Sequence, residues 1–192
     1  MRVPGRRSHR ILAAALGAGL ALALAGLGCG GGGGGGGGTP PTQPPGSITF
    51  NGSSVAAPAV RLVRGAGSGS TVLELEVRGD QLASTYGIAF DLTFPSNLLR
   101  FDAFAEDGFL SQGGAQTSLQ VAQPTPGRLV VGHTRLGDVG AVSGSGTFMR
   151  LRFVAVGTGS GSFSFSANRV FDAAGRQVGG TAWGGGTVQV AM

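Results

Sequence analysis

The chain has 192 residues, and its apolar fraction of 41% is sufficient for one folded domain with a tail. The formal charge of +5 comes from 14 arginines, four of which precede the first apolar run. The rest of the chain is therefore nearly neutral, which excludes a basic patch for nucleic acid. Cys29 is the only cysteine, so an internal disulfide is also excluded.

The first residues have the pattern of an export signal. Met1–Arg10 is basic and Ile11–Leu27 is uncharged and rich in alanine and leucine. Leu24–Cys29 resembles the lipobox of bacterial lipoproteins, which implies removal of residues 1–28 and lipidation of Cys29. Cleavage by an ordinary signal peptidase, or an uncut membrane segment, are the alternatives. We expect an exported protein, lipid-anchored in the bacterial envelope at the outer membrane or cell surface.

Residues 29–46 follow as the lipidated cysteine and a linker. Gly30–Gly38 is an unbroken glycine run, and a proline-rich stretch continues to Gly46. Oligoglycine loses too much backbone entropy to order, and proline favours extended chain. The sequence therefore predicts a disordered tether that precedes a domain over residues 47–192.

The domain begins with short strand candidates at Ile48–Phe50 and Val60–Leu62. Apolar and charged residues then alternate strictly through Val72–Arg78, with Leu73, Leu75 and Val77 on one face. A period of two is the pattern of a strand that is buried on one side.

The most regular alternation follows in residues 86–94. One face carries Tyr86, Ile88, Phe90, Leu92 and Phe94. The other carries Gly87, Ala89, Asp91 and Thr93. This pattern predicts a central strand with its aromatic face in the core and a flat outer face of small residues.

Further short strands follow to the end of the chain, separated by glycine-rich turns. They lie at residues 99–103, 118–122, 128–136, 147–156, 162–166 and 187–190, with a loop around Phe109. About nine strands without a helical period predict an all-β sandwich, because half-buried strands pair their apolar faces across two sheets.

The segment 86–94, followed by Leu98–Phe101, resembles the hallmark segment of cohesin domains. Glu106–Leu110, Gly127–Val131, Thr134–Gly137 and Gly144–Phe148 extend the resemblance over most of the domain. The resemblance implies a nine-stranded jelly roll, in the same superfamily as several cellulose-binding modules.

No constellation of residues in the domain predicts catalysis or a cofactor. His133 is its one histidine, and the sequence spacing supplies neither an acid nor a nucleophile beside it. Asp102, Glu106 and Asp107 can cluster at a loop, but three acids beside turn glycines are usually solvated, and they form no calcium-loop motif. We therefore predict a protein that is not an enzyme and has no metal site.

Two kinds of binding remain open. Sugars stack on flat aromatic rings, for which Trp183 is the one candidate carbohydrate contact, and one ring makes a poor platform. Cohesins bind dockerins, calcium-loaded modules of polysaccharide-degrading enzymes, and the resemblance places Gly87 and Ala89 where well-known cohesins use Asn and Asp. We predict a protein-binding scaffold module with Gly87, Ala89, Asp91 and Thr93 as the candidate face. Direct carbohydrate binding and a purely structural envelope lipoprotein are the alternatives.

Overall fold

A computed structural model describes residues 46–191, which form two sheets packed face to face. The predicted leader, Cys29 and the linker up to residue 45 lie outside the described residues. Among the residues described, the one helical segment is a 3₁₀ turn at Gln112–Gly114, and no helix is long and apolar enough to cross a membrane. The strands are β1 Ser47–Gly52, β2 Ala59–Arg64, β3 Val72–Thr85, β4 Gly87–Thr93, β5 Leu99–Glu106, β6 Thr117–Thr125, β7 Arg128–Arg135, β8 Val142–Ala155, β9 Gly159–Phe171, β10 Gln177–Val178, β11 Ala182–Gly184 and β12 Gly186–Ala191.

The prediction of an all-β sandwich is confirmed, and the number of strands is corrected. The seven-stranded sheet has the order β1-β12-β9-β4-β7-β6, with β10 paired to β9, and the five-stranded sheet has the order β11-β2-β3-β8-β5. The described part therefore has twelve strands rather than nine. The strands β10 and β11 span only two and three residues, which is too short to produce an alternating pattern.

The core lies between the two sheets and follows the predicted faces. Ile88, Phe90 and Leu92 of β4 are each at most 2% exposed. Leu73, Leu75 and Val77 of β3 are fully buried in the facing sheet. Each such side chain contributes about 1.5–3 kcal/mol of transfer free energy relative to an exposed one.

The strand β3 carries the chain from one sheet towards the other, and its pairing with β8 shifts register three times, twice near its C-terminal end. Gln81 and Ser84 adopt left-handed backbone conformations, with φ of 50° and 48°. Their main-chain N–H groups donate to the hydroxyls of Ser145 and Ser143, each at 2.9 Å. These bonds replace the lost ladder contacts where the register shifts.

Tyr86 follows at the crossing point and departs from its predicted position in the core. It precedes β4, and its main chain bonds Phe171 and Arg135 on either side. The side chain is only half-buried, because the regular pleat of β4 begins one residue later.

A β-bulge in β9 decides which of its residues face outward. Asp91 pairs with Ser166 but Ala89 pairs with Arg169, so two residues of β9 stand opposite Phe90. Ala167, one of the two, has a φ of 49°. The extra residue reverses the alternation, so that Arg169 and Phe171 lie on the outer face while Val170 is buried.

Candidate binding face

The outer face of the seven-stranded sheet consists mainly of small and neutral side chains. Gly87, Ala89, Asp91 and Thr93 all lie on this face, on the central strand β4. The flanking strand β7 adds Arg128, Val130, Gly132 and Thr134, and β9 adds Ser164, Ser166, Arg169 and Phe171. The structure thus brings the four predicted residues onto one surface, and their role in binding stays a prediction.

The sequence predicted a flat face, but the structure has a cleft at one end of it. The sheet-face cleft has a volume of about 460 Å³ and is lined by Tyr86, Gly87, Ser118, Gln120, Gly132, Thr134, Phe171 and the β9–β10 turn. Gly87 lies at its floor, between Thr134 and Phe171. A Cβ atom on Gly87 would stand 3.1 Å from both the His133 carbonyl oxygen and the Thr134 hydroxyl, so the glycine permits this close packing.

Two polar groups beside the cleft, the Tyr86 hydroxyl and the Asp172 carboxylate, are bound within the protein. The Tyr86 hydroxyl donates to the Gly137 carbonyl at 2.6 Å. The Asp172 carboxylate accepts main-chain N–H groups of Ala174 and Arg176, each at 2.9 Å, and pairs with the Arg176 guanidinium. The main-chain bond from Arg176 is the largest cause that lowers the pKa of Asp172. The carboxylate is thus occupied by its own turn.

The two cations of this face differ in their partners. Arg128 reaches Asp91 across the strands, with Nη2–Oδ2 at 2.6 Å and Nε–Oδ2 at 3.1 Å. Asp91 is therefore held in an ion pair, and its side chain is only 15% exposed. Every other described arginine contacts a carboxylate or a main-chain carbonyl, whereas no such partner is found for Arg169 among residues 46–191.

Trp183, the predicted carbohydrate contact, packs towards the core from the other sheet. Its ring centroid lies 5.8 Å from that of Phe90 and 5.1 Å from that of Phe165, in tilted and edge-to-face arrangements. The side chain is half-buried, so its ring is not an isolated platform on the surface. A sugar contact at Trp183 stays a prediction.

His133 lies inside the sandwich with Leu129 and Val131, on the inner face of β7. Its side chain has no exposed surface, and its Nε2 lies 3.3 Å from Glu106 Oε1. Burial is the largest influence on the pKa of His133 and lowers it, while the bond to Glu106 and its charge act in the opposite direction. A substrate cannot reach this histidine without opening the sheets.

The three carboxylates considered for a cation have separate partners. Asp102 lies 3.7 Å from Arg100 and 3.6 Å from Arg152, and Asp107 lies 2.6 Å from Arg150. Glu106 accepts the Thr117 hydroxyl at 2.5 Å. Within residues 46–191, no three metal-binding side chains form a common site.

Three functional or structural side chains escaped the sequence reasoning. Arg169 and Phe171 lie on the candidate binding face because of the β9 bulge. The only sign of this bulge in the sequence is the five-residue spacing from Phe165 to Val170, which breaks a period of two. Arg135 is 6% exposed and donates to the carbonyls of Leu110 and Gln112. Its position shares the inner parity of Leu129 and Val131, but arginine is rarely buried, so its residue type concealed the placement.

Comparison with known proteins relates the fold to cohesin modules. The complex of CaDoc0917 with CaCohA2 contains a chain with a TM-score of 0.56 and 17% identity, covering 65% of this chain and 93% of its own. The solution structure of CaCohA2 from Clostridium acetobutylicum has a TM-score of 0.52 and 18% identity, covering 67% of this chain and 88% of its own. A chain in a type II cohesin–X–dockerin complex from Acetivibrio cellulolyticus has a TM-score of 0.55 and 10% identity, covering 66% of this chain and 96% of its own. No family model and no curated protein sequence matches the chain. The domain therefore has a cohesin-like jelly-roll fold.

Proposed function

We propose that residues 47–192 form a non-catalytic module that binds a protein partner of the dockerin class on the outer face of the seven-stranded sheet. The observation that carries this proposal is the neutral, small-residue surface around β4, on a fold shared with modules solved in complexes with dockerins. The partner would be a dockerin borne by a polysaccharide-degrading enzyme, which the module would recruit.

The charge of the two outer faces supports the choice of sheet. Charged residues are depleted at the centre of protein interfaces, because each must lose its water. On β4 the only charge is Asp91, which Arg128 already neutralises. The strand β3 of the opposite sheet instead presents Glu74, Glu76, Arg78 and Asp80 outward.

The contact would differ from the Asn- and Asp-based contact that the cohesin resemblance implies. Gly87 and Ala89 offer only main-chain groups and small surfaces at those positions. The hydroxyls of Thr93, Ser164 and Ser166 lie further along the same face, around Asp91. Shape and hydroxyl hydrogen bonds would therefore replace the acidic contact.

The proposal is tested by calorimetric titration of the protein with several different calcium-loaded dockerin modules. Ser166→Arg places a long cation beside Asp91 on the proposed face, and Val63→Arg places the same side chain beside Glu76 on the opposite face. We expect Ser166→Arg to weaken binding by about tenfold or more and Val63→Arg to leave it unchanged. No binding by any dockerin, or the reverse order of the two variants, would contradict the proposal.

The leader sequence supports a second part of the proposal, export and anchoring through Cys29. Fatty-acid labelling in a bacterial host should mark the wild-type protein, and Cys29→Ala should abolish the label because no other thiol exists in the chain. Label that persists in Cys29→Ala would disprove the anchor without affecting the binding face.

A further inference from the structure

We propose that the sheet-face cleft receives one apolar side chain of the protein partner and that Arg169 pairs with a carboxylate beside that side chain. The assignment of the cleft to a protein side chain rests on the proposed function. It adds the chemistry of recognition, namely an apolar anchor next to an acid.

The walls and floor of the cleft favour an apolar occupant. Gly87 and Gly132 leave the floor without side chains, and the aromatic residues Tyr86 and Phe171 line it. Its volume of about 460 Å³ falls in the usual range of binding pockets, roughly 300–1,000 Å³. A pocket of this kind that a partner side chain can fill and desolvate is typical of interface hot spots.

The same walls disfavour a sugar ring. The hydroxyls of a sugar need hydrogen-bond partners when they lose water. The Tyr86 hydroxyl and the Asp172 carboxylate are already bound within the protein, and the Thr134 hydroxyl bonds the Arg135 carbonyl at 3.1 Å. Only Ser118 and Gln120 remain as polar side chains of the lining without such a bond.

Arg169 defines the charge of the partner. It lies two residues before Phe171 on the outer face of β9, about 6–7 Å along the strand from this wall of the cleft. Because Asp91 is paired with Arg128, and Asp172 with Arg176, the positive charge of Arg169 is not compensated on this face. A carboxylate next to the apolar anchor would complement it.

The first experiment uses small probes and needs no dockerin. N-acetyl-leucinamide, N-acetyl-phenylalaninamide and methyl β-glucoside are titrated into isotope-labelled protein, with amide shifts followed by NMR. We expect the two apolar amides to shift Gly87, Gly132 and Thr134, and the glucoside to leave them unchanged. Shifts from the glucoside alone, or from none of the probes, would overturn the assignment. So would self-association through this face at rising protein concentration.

The second experiment fills the cleft. A Cβ at Gly132 meets no atom within 4 Å and its backbone is unstrained, so Gly132→Leu should fold normally. Ala122→Leu is the matched control, on the same face but outside the cleft lining. We expect Gly132→Leu to abolish the probe shifts and to weaken dockerin binding about tenfold, whereas Ala122→Leu should leave the probe shifts unchanged. Probe shifts that are equal in both variants would overturn the proposal.

The third experiment tests the charge. N-acetyl-Leu-Asp-amide should bind more tightly than N-acetyl-Leu-Asn-amide, and Arg169→Gln should remove the difference, while Arg100→Gln on the opposite sheet should preserve it. A difference that survives in Arg169→Gln would refute this role of the arginine.

The results distinguish failure of the cleft assignment from failure of the proposed function. If probes bind the cleft and no dockerin binds, the dockerin proposal fails alone. If dockerin binds and Gly132→Leu has no effect, the cleft assignment fails alone.

Discussion

The two outer faces of the sandwich treat charge in opposite ways. The five-stranded sheet carries a network of ion pairs, some within one strand and some between neighbouring strands. Its pairs are Glu76–Arg150 at 3.8 Å, Arg78–Asp80 at 3.4 Å, Arg61–Asp80, Asp102–Arg100 at 3.7 Å and Asp102–Arg152 at 3.6 Å. The seven-stranded sheet is largely neutral around β4. Within residues 46–191 its outer face has one cross-strand pair, Asp91–Arg128, and no carboxylate or carbonyl partner is found there for Arg169.

The difference shows which face can lose its water at low cost. Exposed ion pairs contribute only about 0–1 kcal/mol each to stability, but burying them in an interface removes the hydration of every member. A surface of glycine, alanine, serine and threonine has no such penalty. This difference is why we propose the neutral sheet as the face on which a partner docks.

The comparison of the two outer faces requires that the inner faces of the two sheets share one core. The variant Phe90→Ala should give the largest effect that tests this placement. Phe90 is 2% exposed and contacts Phe165 edge-to-face at 5.1 Å. We expect a loss of about 3–5 kcal/mol of unfolding free energy in urea denaturation. Phe104→Ala is the control, because Phe104 is 45% exposed, and should change stability by less than about 1 kcal/mol. Similar losses from both variants would refute this placement of the core.

The second prediction concerns the connection between the two sheets. Arg135 of β7 is buried and bonds the loop carbonyls of Leu110 and Gln112, between β5 of one sheet and β6 of the other. Arg135→Gln should cost about 1–3 kcal/mol, because buried carbonyls lose their donor. Faster amide hydrogen exchange than in the wild type should be confined to the loop at residues 107–116. An unchanged stability would mean that water replaces the guanidinium at no cost.

The third prediction uses the pKa of His133, which burial lowers below 6.5 in the folded protein. The unfolded chain therefore binds more protons than the folded protein below about pH 6.5. Stability should be greatest above that pH and should fall as the pH drops through 6.5 towards the folded-state pKa. Denaturation at pH 7.5 and 5.5 should show a smaller pH effect in His133→Gln than in the wild type. An equal pH effect in both proteins would assign the loss to other groups.

The smallest effect is expected from the ion pairs themselves. Asp91→Asn breaks the pair on the neutral face and Asp102→Asn breaks two contacts on the charged face. Because the arginine partners are about half exposed or more, each change should cost less than about 1 kcal/mol. Dockerin binding should weaken only in Asp91→Asn, since only that residue lies on the proposed face. Equal weakening in both variants would remove the distinction between the faces.

The sequence was sufficient for the sandwich and for the face of its regular strands. Strict alternation in β3 and β4 predicted the burial of Leu75 and Phe90 because a period of two leaves no choice once one face is apolar.

Irregular backbone caused the failures. Gln81, Ser84 and Ala167 adopt positive φ, which favours glycine, so nothing in these residue types announces a bend or a bulge. The cleft depends on one such bulge, which turns Phe171 outward beside Gly87. Its position therefore needed the three-dimensional register and not the pattern alone.

The central claim is that the outer face of the seven-stranded sheet binds the partner, and hydrogen–deuterium exchange tests it most directly. The protein is compared with and without a saturating calcium-loaded dockerin module. The account predicts new protection in residues 87–93 and 128–135, and none beyond that of the free protein in residues 147–155 of the opposite sheet. Protection confined to residues 147–155, or to neither sheet, would contradict it.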